Sequence, residues 1–578
     1  MAKSGKRSGK PQSDHRVSDA SRGGDRKAPQ AGPAGDAKPE VAASSVPTRP
    51  PLSMRLRAHA ILLISSVLMF LGFAGFGVWW MGFFALVPAL FVLDPMEDRG
   101  GFDRPGGRTF FLRAWLFGTV AYAGGFYWIA YTLAEFSGFP LPIASIFATI
   151  FWGWQGLQFA AMLWLFRRAR INGWSASAAV PAAYVATEAV FPMLFEHYYG
   201  NGLYRVPILT QIADLAGPEI CTGLVFLVNG ALYDALRAAS RKMPIPRLGP
   251  ALAIASLIFT VAYGDYRLAE VDAFDAHAER LHVALVQPNL GLFDRWEDPR
   301  VGDRTRQMTL ELEREDPSIQ LFVWPESAVT YWLDGVTSVH RTVLRDVHTP
   351  VIFGGIRHDE VDGREVDRNT AFLADANGRL IDTYDKTYLL AFGEYLPFGD
   401  TFPVMYDISP MSGRFSPGTS VDPLELARPG GDADDPIRMT ALICYEDIVS
   451  RFVRHAVADS NPDFLVNITV DTWFGDTQEP WVHLTLATFR AIEHRRWLLR
   501  STNSGVSAFV DPAGRVVSNT AVFEQATLTE DVRLGSVGGT LYETLGPWLG
   551  WLSLLLTVFF AMRPAPSRSK LRAEESSV

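Results

Sequence analysis

The stretch Ala441-Leu442-Ile443-Cys444-Tyr445-Glu446-Asp447 is an apolar run that ends in a charged turn. Cys444 is one of two cysteines in the 578 residues, and the other, Cys221, lies in a long apolar segment that is typical of a membrane span. Cys444 therefore has no cysteine in its own domain with which to form a disulfide. A lone thiol at the end of a strand-like run suggests covalent acyl chemistry.

Two further stretches, Trp324-Pro325-Glu326-Ser327 and Tyr384-Asp385-Lys386, also place an ionisable residue after a strand-like run. A thiol nucleophile needs a base and a group that stabilises the oxyanion. Glu326 is the candidate base, since neighbouring aromatic bulk would desolvate its carboxylate, and Lys386 is the candidate oxyanion partner. Each residue also has a purely structural interpretation: a small core cysteine, a glutamate in a turn after proline, or a lysine whose ammonium reaches water.

The composition indicates a membrane protein with a soluble part. Hydrophobic residues make up 48% of the chain and charged residues 20%, and the net charge of -9 argues against a nucleic-acid binder. Residues 1–57 are rich in Ser, Gly, Pro, Lys and Arg, which predicts a disordered basic tail. Because this tail is long and basic, the first apolar segment is interpreted as a retained anchor and not as a cleaved signal peptide.

Apolar runs predict eight membrane spans, seven before the soluble part and one after it. Residues 60–93 carry no charge, and a helix of that length would rise about 51 Å, well beyond the ~30 Å hydrocarbon core, so we divide it near residues 72–77. The other predicted spans lie at 114–134, within 136–166, and at 175–195, 220–236, 248–264 and 545–562. The alternative is that some of these runs are buried core helices.

Charge in the connecting loops alternates along the chain, because every second loop carries a cluster of arginines and lysines. The positive-inside rule then puts both termini in the cytoplasm. The predicted organisation is a seven-helix region at 58–265, an outer domain at 266–543, an eighth helix at 544–563 and a cytoplasmic tail at 564–578.

The outer domain is expected to be α/β, because short apolar runs alternate with helical patterns. Asn377-Gly378 predicts a hairpin between two of the strands. Strands are predicted at 282–287, 321–324, 351–354, 370–373, 380–384, 439–443, 464–468 and 506–510, and helices at 303–315, 338–347, 448–458 and 481–497.

The short motifs Trp-Pro-Glu, Tyr-x-Lys and Cys-Tyr-Glu, in this order, resemble those of the nitrilase superfamily. That resemblance implies a four-layer αββα sandwich for the outer domain. With the predicted spans, the chain is similar over about 60–562 to the apolipoprotein N-acyltransferase family. Three further motifs carry that similarity: Phe392-Gly393-Glu394-Tyr395-Leu396-Pro397, Val286-Gln287-Pro288-Asn289 with downstream Trp296, and Asp471-Thr472-Trp473-Phe474-Gly475.

The resemblance implies a role for each matching residue. Cys444 would be the acylated nucleophile, Glu326 the base and Lys386 the oxyanion stabiliser. Supporting and substrate-binding positions would be Glu394, Glu446, Trp296 and Tyr445.

The same resemblance implies an acyl donor like phosphatidylethanolamine and, as acceptor, the amine of a diacylglyceryl-cysteine at a lipoprotein N-terminus. It also implies a monomer in the bacterial inner membrane with its catalytic domain in the periplasm. No cofactor is expected, and no metal site, because the histidines are scattered without a ligand-spaced cluster.

The chain departs from the family pattern at Ala391, Val470 and Glu479, which bears on loop geometry and substrate preference. Between Lys386 and Cys444 lies an apolar insert that we expect to admit an acyl chain from the bilayer, although it could pack on the domain's own core. Its apolar residues are Leu389, Leu390, Phe398, Phe402, Met405, Tyr406 and Met411.

Two competing functions remain. A membrane-tethered amidase would hydrolyse the acyl-enzyme, but one anchor would suffice for tethering. A transporter or receptor with a degenerate outer domain would be expected to lack a catalytic residue, whereas all three are present. It would also carry several intramembrane charges, which the predicted spans lack, with Glu188 as the main exception.

Overall fold

The computed structural model describes residues 52–96, 107–291, 301–331, 333, 335–361, 363–399, 401–408, 412–431 and 434–564. The predicted tails up to residue 51 and from residue 565 lie outside the described residues, as do Trp296 and Met411.

A series of apolar helices precedes the outer domain, and one follows it. The first series comprises α1 (Leu52–Leu71), a 3-10 turn (Trp79–Phe83), α2 (Val87–Leu93), α3 (Gly107–Gly125), α4 (Ile129–Ser137), α5 (Leu141–Ile171), α6 (Ala176–Val190), α7 (Pro207–Thr210), α8 (Ala213–Ala216), α9 (Pro218–Ser240) and α10 (Leu248–His277). Among the described residues, the four helices α1, α5, α9 and α10 are long and apolar enough to cross a membrane. Shorter apolar helical segments lie at Trp79–Leu93 and Trp548–Met562.

The break expected near residues 72–77 is present, since α1 ends at Leu71. Gly75 there has a φ of 92°, which a residue with a side chain rarely adopts. The single helix expected at 114–134 is wrong in detail, because the chain turns after Gly125 and α4 begins at Ile129. At the other end of the region, α10 continues unbroken to His277, past the predicted domain boundary at residue 265.

The outer domain contains twelve strands in two six-stranded sheets. The strands are β1 (Arg280–Gln287), β2 (Leu321–Val323), β3 (Val351–Val361), β4 (Arg364–Ala374), β5 (Leu380–Asp385), β6 (Leu424–Leu426), β7 (Ile437–Ile443), β8 (Phe464–Thr469), β9 (Trp497–Thr502), β10 (Ala508–Val510), β11 (Val516–Asn519) and β12 (Ala526–Arg533). Their order is β12-β1-β2-β3-β4-β5 in one sheet and β11-β10-β9-β8-β7-β6 in the other.

Both sheets are mixed, with parallel pairs at the centre and antiparallel pairs at the edges. Strands β1, β2 and β3 are parallel in the first sheet, as are β7, β8 and β9 in the second. One buried cluster takes apolar side chains from both sheets, including Val323, Ile443 and Val466. The carboxyl ends of β2, β5 and β7, where the sequence places Glu326, Lys386 and Cys444, are therefore held by a shared core.

The helices of the outer domain are α11 (Val301–Glu315), α12 (Val404–Ile408), α13 (Ser450–Ser460), α14 (Glu479–His494) and α15 (Leu541–Leu545), followed by the apolar α16 (Trp548–Met562). The predicted hairpin at Asn377-Gly378 is confirmed, because β4 and β5 pair antiparallel on either side of it.

Two helix predictions in this domain are wrong. The expected helix at 338–347 is a single π-helical turn, His340–Leu344. The helix expected to run to Trp497 ends at His494, where Arg495 adopts a left-handed φ of 50°, and Trp497 begins β9.

Candidate active site

Cys444 lies directly after β7, at the first position of a 3-10 turn that runs to Ile448. Its φ is 54°, a left-handed conformation that costs a non-glycine residue about 1–3 kcal/mol and often marks a functional site. The Asn467 side chain holds the turn by donating to the carbonyl oxygens of Leu442 at 3.2 Å and Cys444 at 3.1 Å. The half-buried thiol is thus presented by a constrained backbone.

Glu326 and Lys386 lie at the same edge of the first sheet and share polar partners. The Asn369 side-chain amide donates to Glu326 Oε1 at 2.7 Å and to Glu394 Oε1 at 3.1 Å. Lys386 Nζ lies 2.7 Å from Glu394 Oε2. Asn369 and Glu394 therefore bind the predicted base and the predicted oxyanion partner into one arrangement.

The turn that carries Glu326 packs closely against β3. A Cβ built on Gly354 would lie 2.6 Å from both Glu326 Cα and Ser327 N, nearer than atoms can approach. Only glycine at this position of β3 leaves room for the backbone of Glu326.

The charges of Glu326, Glu394 and Lys386 all act on the Cys444 thiol. Burial raises the pKa of Cys444 well above its ordinary value, Glu326 raises it further, and Lys386 lowers it in part. Burial would lower the pKa of Lys386, but Glu394, Cys444 and Glu326 raise it above its ordinary value. At neutral pH the site therefore holds a protonated thiol beside an ammonium, so the thiol needs a base before it can attack.

Glu446 is buried behind the cysteine and joins the loops that carry the other groups. Its Oε1 accepts from the Tyr384 hydroxyl and from the backbone N–H groups of Thr387 and Tyr388, each at 2.8 Å. Its Oε2 accepts from the backbone N–H of Ile443 at 2.8 Å. Burial raises the pKa of Glu446 to about 7, against the opposing effects of Lys386 and these donors. This carboxylate fixes the end of β7 against the segment that follows Lys386.

A buried ionic network lies on the other side of the cysteine turn. Arg500 donates to Asp447 Oδ2 at 2.7 Å and to Asp471 Oδ2 at 2.9 Å. His483 bridges the same two residues, with Nε2 2.8 Å from Asp447 Oδ1 and Nδ1 3.1 Å from Asp471 Oδ1. All four side chains are at most 6% exposed. Asp447, and with it the turn that begins at Cys444, is therefore anchored to β9 and α14.

Asp471, Glu479 and His483 also place ligand atoms within 4.8 Å of one another, as a metal site would. Burial and Arg500 oppose a charge on His483, but Asp447 and Asp471 raise its pKa to about 10. Both ring nitrogens of His483 already face carboxylates of the ionic network, Nε2 toward Asp447 and Nδ1 toward Asp471. The cluster belongs to the ionic network.

One cavity is lined by Cys444 and a second by its neighbour Tyr445. The first, which we call the thiol cavity, measures about 30 Å³, and its lining includes Cys444, Leu390 and Phe195. The second, the insert cavity, measures about 930 Å³, and its lining includes Leu390, Tyr395, Tyr406 and Tyr445. Leu390 and Tyr445 line both, so these two side chains separate the thiol from the larger space.

The thiol cavity is closed on one side by residues of the apolar helical region. Phe126, Trp128 and Phe195 line it together with residues of the outer domain. The Tyr445 hydroxyl donates to the carbonyl oxygen of Leu194, and its ring centroid lies 6.1 Å from that of Phe195. The cysteine therefore faces the apolar helices and not the far side of the outer domain.

Most of the predicted site residues converge in the structure. Glu326, Lys386, Cys444 and Glu394 form one electrostatically coupled group, Glu446 supports it, and Tyr445 lines both cavities. The insert is divided between the two expected arrangements: Phe398 and Phe402 are 75% and 57% exposed, whereas Leu389, Leu390, Met405 and Tyr406 are half-buried.

Four residues of the site were not predicted from the sequence: Asn369, Asp447, His483 and Arg500. Asp447 had a signal, because it directly follows Cys-Tyr-Glu, and His483 stands one helical turn after Glu479. Asn369 and Arg500 lie inside strands and carry no local pattern that marks them.

Comparisons with known proteins match both parts of the chain. The model of the apolipoprotein N-acyltransferase N-terminal domain matches residues 65–231, and the carbon-nitrogen hydrolase model matches residues 282–542. Two similar relatives are the apolipoprotein N-acyltransferases of Geobacter metallireducens, 29% identical over 86% of this chain and 93% of that protein, and of Bdellovibrio bacteriovorus, 30% identical over 75% and 82%.

Two solved structures are similar to less than half of this chain. A Saccharomyces cerevisiae member of branch 10 of the nitrilase superfamily is 17% identical, covers 44% of this chain and 90% of its own, and has a TM-score of 0.34. An amidase from Nesterenkonia sp. is 20% identical, covers 47% and 97%, and has a TM-score of 0.33.

The helical region and the hydrolase-like domain thus match two adjoining family models, and the curated relatives align across both. Together with the arrangement around Cys444, this shows that the chain belongs to the apolipoprotein N-acyltransferase family.

Proposed function

We propose that this protein is a bacterial membrane enzyme that transfers an acyl chain from a phospholipid, through a Cys444 thioester, to the N-terminal amine of a diacylglyceryl-cysteine. The observation that carries the proposal, in a chain of this family, is that Asn369 and Glu394 join Glu326 to Lys386 next to the Cys444 turn. Glu326 is assigned as the base, Lys386 as the oxyanion partner and Cys444 as the nucleophile. Glu394, Glu446 and Tyr445 are assigned to support or substrate binding.

The first half-reaction acylates the enzyme. Glu326 accepts the thiol proton while Cys444 Sγ attacks the ester carbonyl carbon of the donor. Lys386 Nζ stabilises the negative charge on the carbonyl oxygen in the tetrahedral intermediate. The ester C–O bond then breaks, and the proton on Glu326 passes to the departing lysophospholipid oxygen. The thioester that remains retains the acyl chain.

The second half-reaction transfers the acyl chain to the acceptor. The acceptor amine attacks the thioester carbonyl carbon, and Glu326 takes a proton from the nitrogen. The C–S bond breaks, and that proton restores the Cys444 thiol. The products are an amide and the free enzyme, and neither half-reaction needs another reactant.

We infer a membrane arrangement that fits this chemistry. The eight apolar segments of the sequence would be spans, both termini would be cytoplasmic, and the outer domain would be a periplasmic four-layer αββα sandwich. The alternating basic loops support the orientation. The apolar lining of the thiol cavity by Phe126, Trp128 and Phe195 supports delivery of an acyl chain from the bilayer. A phosphatidylethanolamine-like donor and a monomeric enzyme follow from the family resemblance.

The test is intact mass spectrometry of full-length protein incubated with phosphatidylethanolamine in mixed micelles. We expect an adduct with the mass of one acyl chain that hydroxylamine removes, present in Cys221→Ala and lost in Cys444→Ala. Cys221→Ala is the matched control, since it removes the other thiol of the chain. An active Cys444→Ala protein without an adduct would refute the covalent route.

A diacylglyceryl-cysteine peptide added to the acyl-enzyme distinguishes transfer from hydrolysis. We expect N-acylated peptide as the main product. Free fatty acid as the sole product, at the same rate with and without peptide, would instead identify the membrane-tethered amidase.

A further inference from the structure

A third cavity, of about 380 Å³, lies where α6, α9 and α16 meet the outer domain, and we call it the carboxylate cavity. Three of its lining side chains are carboxylates, Glu188, Glu196 and Glu219. Arg451, at the start of α13, contributes a guanidinium. The cavity therefore brings acidic side chains and a guanidinium side by side.

The carboxylate cavity is adjacent to the proposed reaction centre. Tyr388 and Tyr445 line both it and the insert cavity. Their ring centroids lie 6.0 Å apart at an interplanar angle of 21°, a stacked pair that forms a common wall. Tyr445 is also the residue next to Cys444, so a ligand in this cavity lies one side chain away from the thiol turn.

The two deepest carboxylates are incompletely paired. Glu188 is 5% exposed and Glu219 is 2% exposed. Glu188 Oε1 accepts from the backbone N–H of Tyr199 at 2.7 Å, yet the Oε2 atoms of both residues have no hydrogen-bond partner among the described residues. A buried carboxyl group without a partner is costly to ionise, and a cation in the adjoining cavity would stabilise its charged form.

Apolar, exposed side chains also line the cavity. Val190 and Trp551, on α6 and α16, are 50% and 58% exposed. Tryptophan is enriched where a membrane protein meets the boundary between lipid and water, and both residues lie at ends of apolar helices that point toward the outer domain. In the membrane arrangement inferred above, a lipid headgroup lies at the level of this cavity.

We propose that the carboxylate cavity binds the primary ammonium group of a substrate, with Glu196 and Glu219 facing the ammonium and Arg451 placed for an adjoining phosphate. The inference rests on the proposed function and adds a recognition site to it. A primary ammonium has two sources in that reaction, the ethanolamine headgroup of the acyl donor and the α-amine of the acceptor. Both share the chemistry that the cavity recognises.

The first experiment measures lipid binding without turnover. Full-length Cys444→Ala protein is exchanged into detergent with equal amounts of phosphatidylethanolamine and phosphatidylglycerol of the same chains, and retained lipid is counted by native mass spectrometry. We expect retention of phosphatidylethanolamine to fall about tenfold in Glu196→Gln, because the variant loses a partly buried carboxylate–ammonium pair. Retention of phosphatidylglycerol should not change. Glu360→Gln, at an exposed site on β3, is the control.

The second experiment tests whether the cavity binds the α-amine of the acceptor. Acyl-enzyme is preloaded at Cys444, and transfer to a diacylglyceryl-cysteine peptide is compared with transfer to hydroxylamine, which is too small to need the cavity. If the cavity holds the acceptor amine, Glu196→Gln slows transfer to the peptide about tenfold and leaves the hydroxylamine reaction unchanged. Glu196 is half-buried in a loop, so this variant keeps the folded protein.

A Glu196→Gln protein with unchanged lipid retention and unchanged transfer to the peptide overturns the ammonium site. Glu219→Gln repeats the test at the buried carboxylate. Because the binding experiment uses an inactive protein, its result stands even if the wild-type enzyme forms no acyl adduct, an outcome that would refute the proposed function instead.

Discussion

Lys386 is the residue on which the charges of the site converge. Its side chain is 1% exposed, and Glu394, Cys444, Glu326 and Glu446 all raise its pKa. Burying an ammonium is costly unless it is paired, and the 2.7 Å contact with Glu394 supplies the partner. The same arrangement leaves the ammonium charged at every pH at which the enzyme would work, as an oxyanion partner requires.

Replacing Lys386 by Met should slow acyl-enzyme formation strongly while retaining most of the volume of the side chain. We expect the acylation rate to fall by about 10²–10³-fold, the usual effect of removing an oxyanion donor. Single-turnover mass spectrometry of the Cys444 adduct measures that rate. Lys386→Arg keeps the charge but replaces the compact ammonium by a planar guanidinium, so it should recover only part of the acylation rate. Full activity in Lys386→Met would contradict the assigned role.

The raised pKa of Glu446 makes the free energy of unfolding fall as the pH rises. Because its pKa is raised to about 7 in the folded protein, from about 4.3 when unfolded, the folded state holds its proton longer. The contribution of protonated Glu446 to the free energy of unfolding is therefore fully present below about pH 4 and is lost as the pH rises to about 7. Thermal unfolding in detergent should show this loss between pH 5 and 7.

Glu446→Gln should remove that pH-dependent component and lower stability overall. The amide nitrogen cannot accept a hydrogen bond, so at least one of the N–H donors of Thr387, Tyr388 and Ile443 loses its acceptor, at a cost of about 1–3 kcal/mol. An unchanged slope of melting temperature against pH in the variant would show that another group titrates there.

At the scale of elements, the sequence predicted the strands that end at Glu326, Lys386 and Cys444 but not β9. That strand, Trp497–Thr502, is buried on both faces, so it lacks the alternation that identifies a half-exposed strand. Its sequence continues the apolar pattern of α14, and only the left-handed turn at Arg495 separates the two elements. Strand β12 was missed for the opposite reason, because it is an edge strand rich in charged and polar residues.

The anchoring of the cysteine turn through β9 could not be predicted either, because it depends on residues that are far apart in the sequence. Arg500 lies on β9, Asp447 follows β7, and Asp471 follows β8. The parallel order of these three strands brings their ends together. No local pattern in a single sequence indicates which strands are adjacent in the sheet. The catalytic candidates, by contrast, each belong to a short sequence motif that can be recognised.

Replacing Arg500 by Leu should destabilise the outer domain strongly. The change removes the guanidinium that pairs with Asp447 and Asp471, both 0% exposed, and breaking such a buried pair costs about 3–5 kcal/mol. We expect a large fall in melting temperature and in the yield of folded protein. As a control, Arg438→Leu removes an exposed pair with Glu425 and should cost about 0–1 kcal/mol. Similar stability of the two variants would contradict the network's structural role.

At the scale of the whole molecule, the apolar helices and the outer domain are joined by buried charge. Arg495, at the end of α14, donates to Asp214 Oδ2 at 2.6 Å and to the Gln211 side chain at 2.6 Å. Arg267 on α10 lies 2.9 Å from the same Asp214 oxygen. The sequence predicted two regions with a boundary between them, but these contacts, which span some 280 positions of the chain, hold them as one body.

Asp214→Asn should loosen that junction. The variant leaves Arg495, which is 0% exposed, without its carboxylate, at an expected cost of about 3–5 kcal/mol. We expect faster thermal inactivation and faster cleavage by protease near the end of α10, whereas Glu279→Gln, at a pair whose acidic side chain is 54% exposed, should leave both rates unchanged. Equal protease resistance of the two variants would show that other contacts dominate the junction.

The small size of the thiol cavity bears on how inhibitors should be sought. A space of about 30 Å³ holds about two water molecules, too little for a long alkyl chain, which therefore enters only when Leu390, Tyr445 or the facing aromatic rings move aside. Compounds selected against this resting shape would be too small to gain affinity. A graded series of maleimides of increasing width, timed against Cys444 in native vesicles, would instead measure how often and how far the entrance widens, and so reveal the shape that a drug must match.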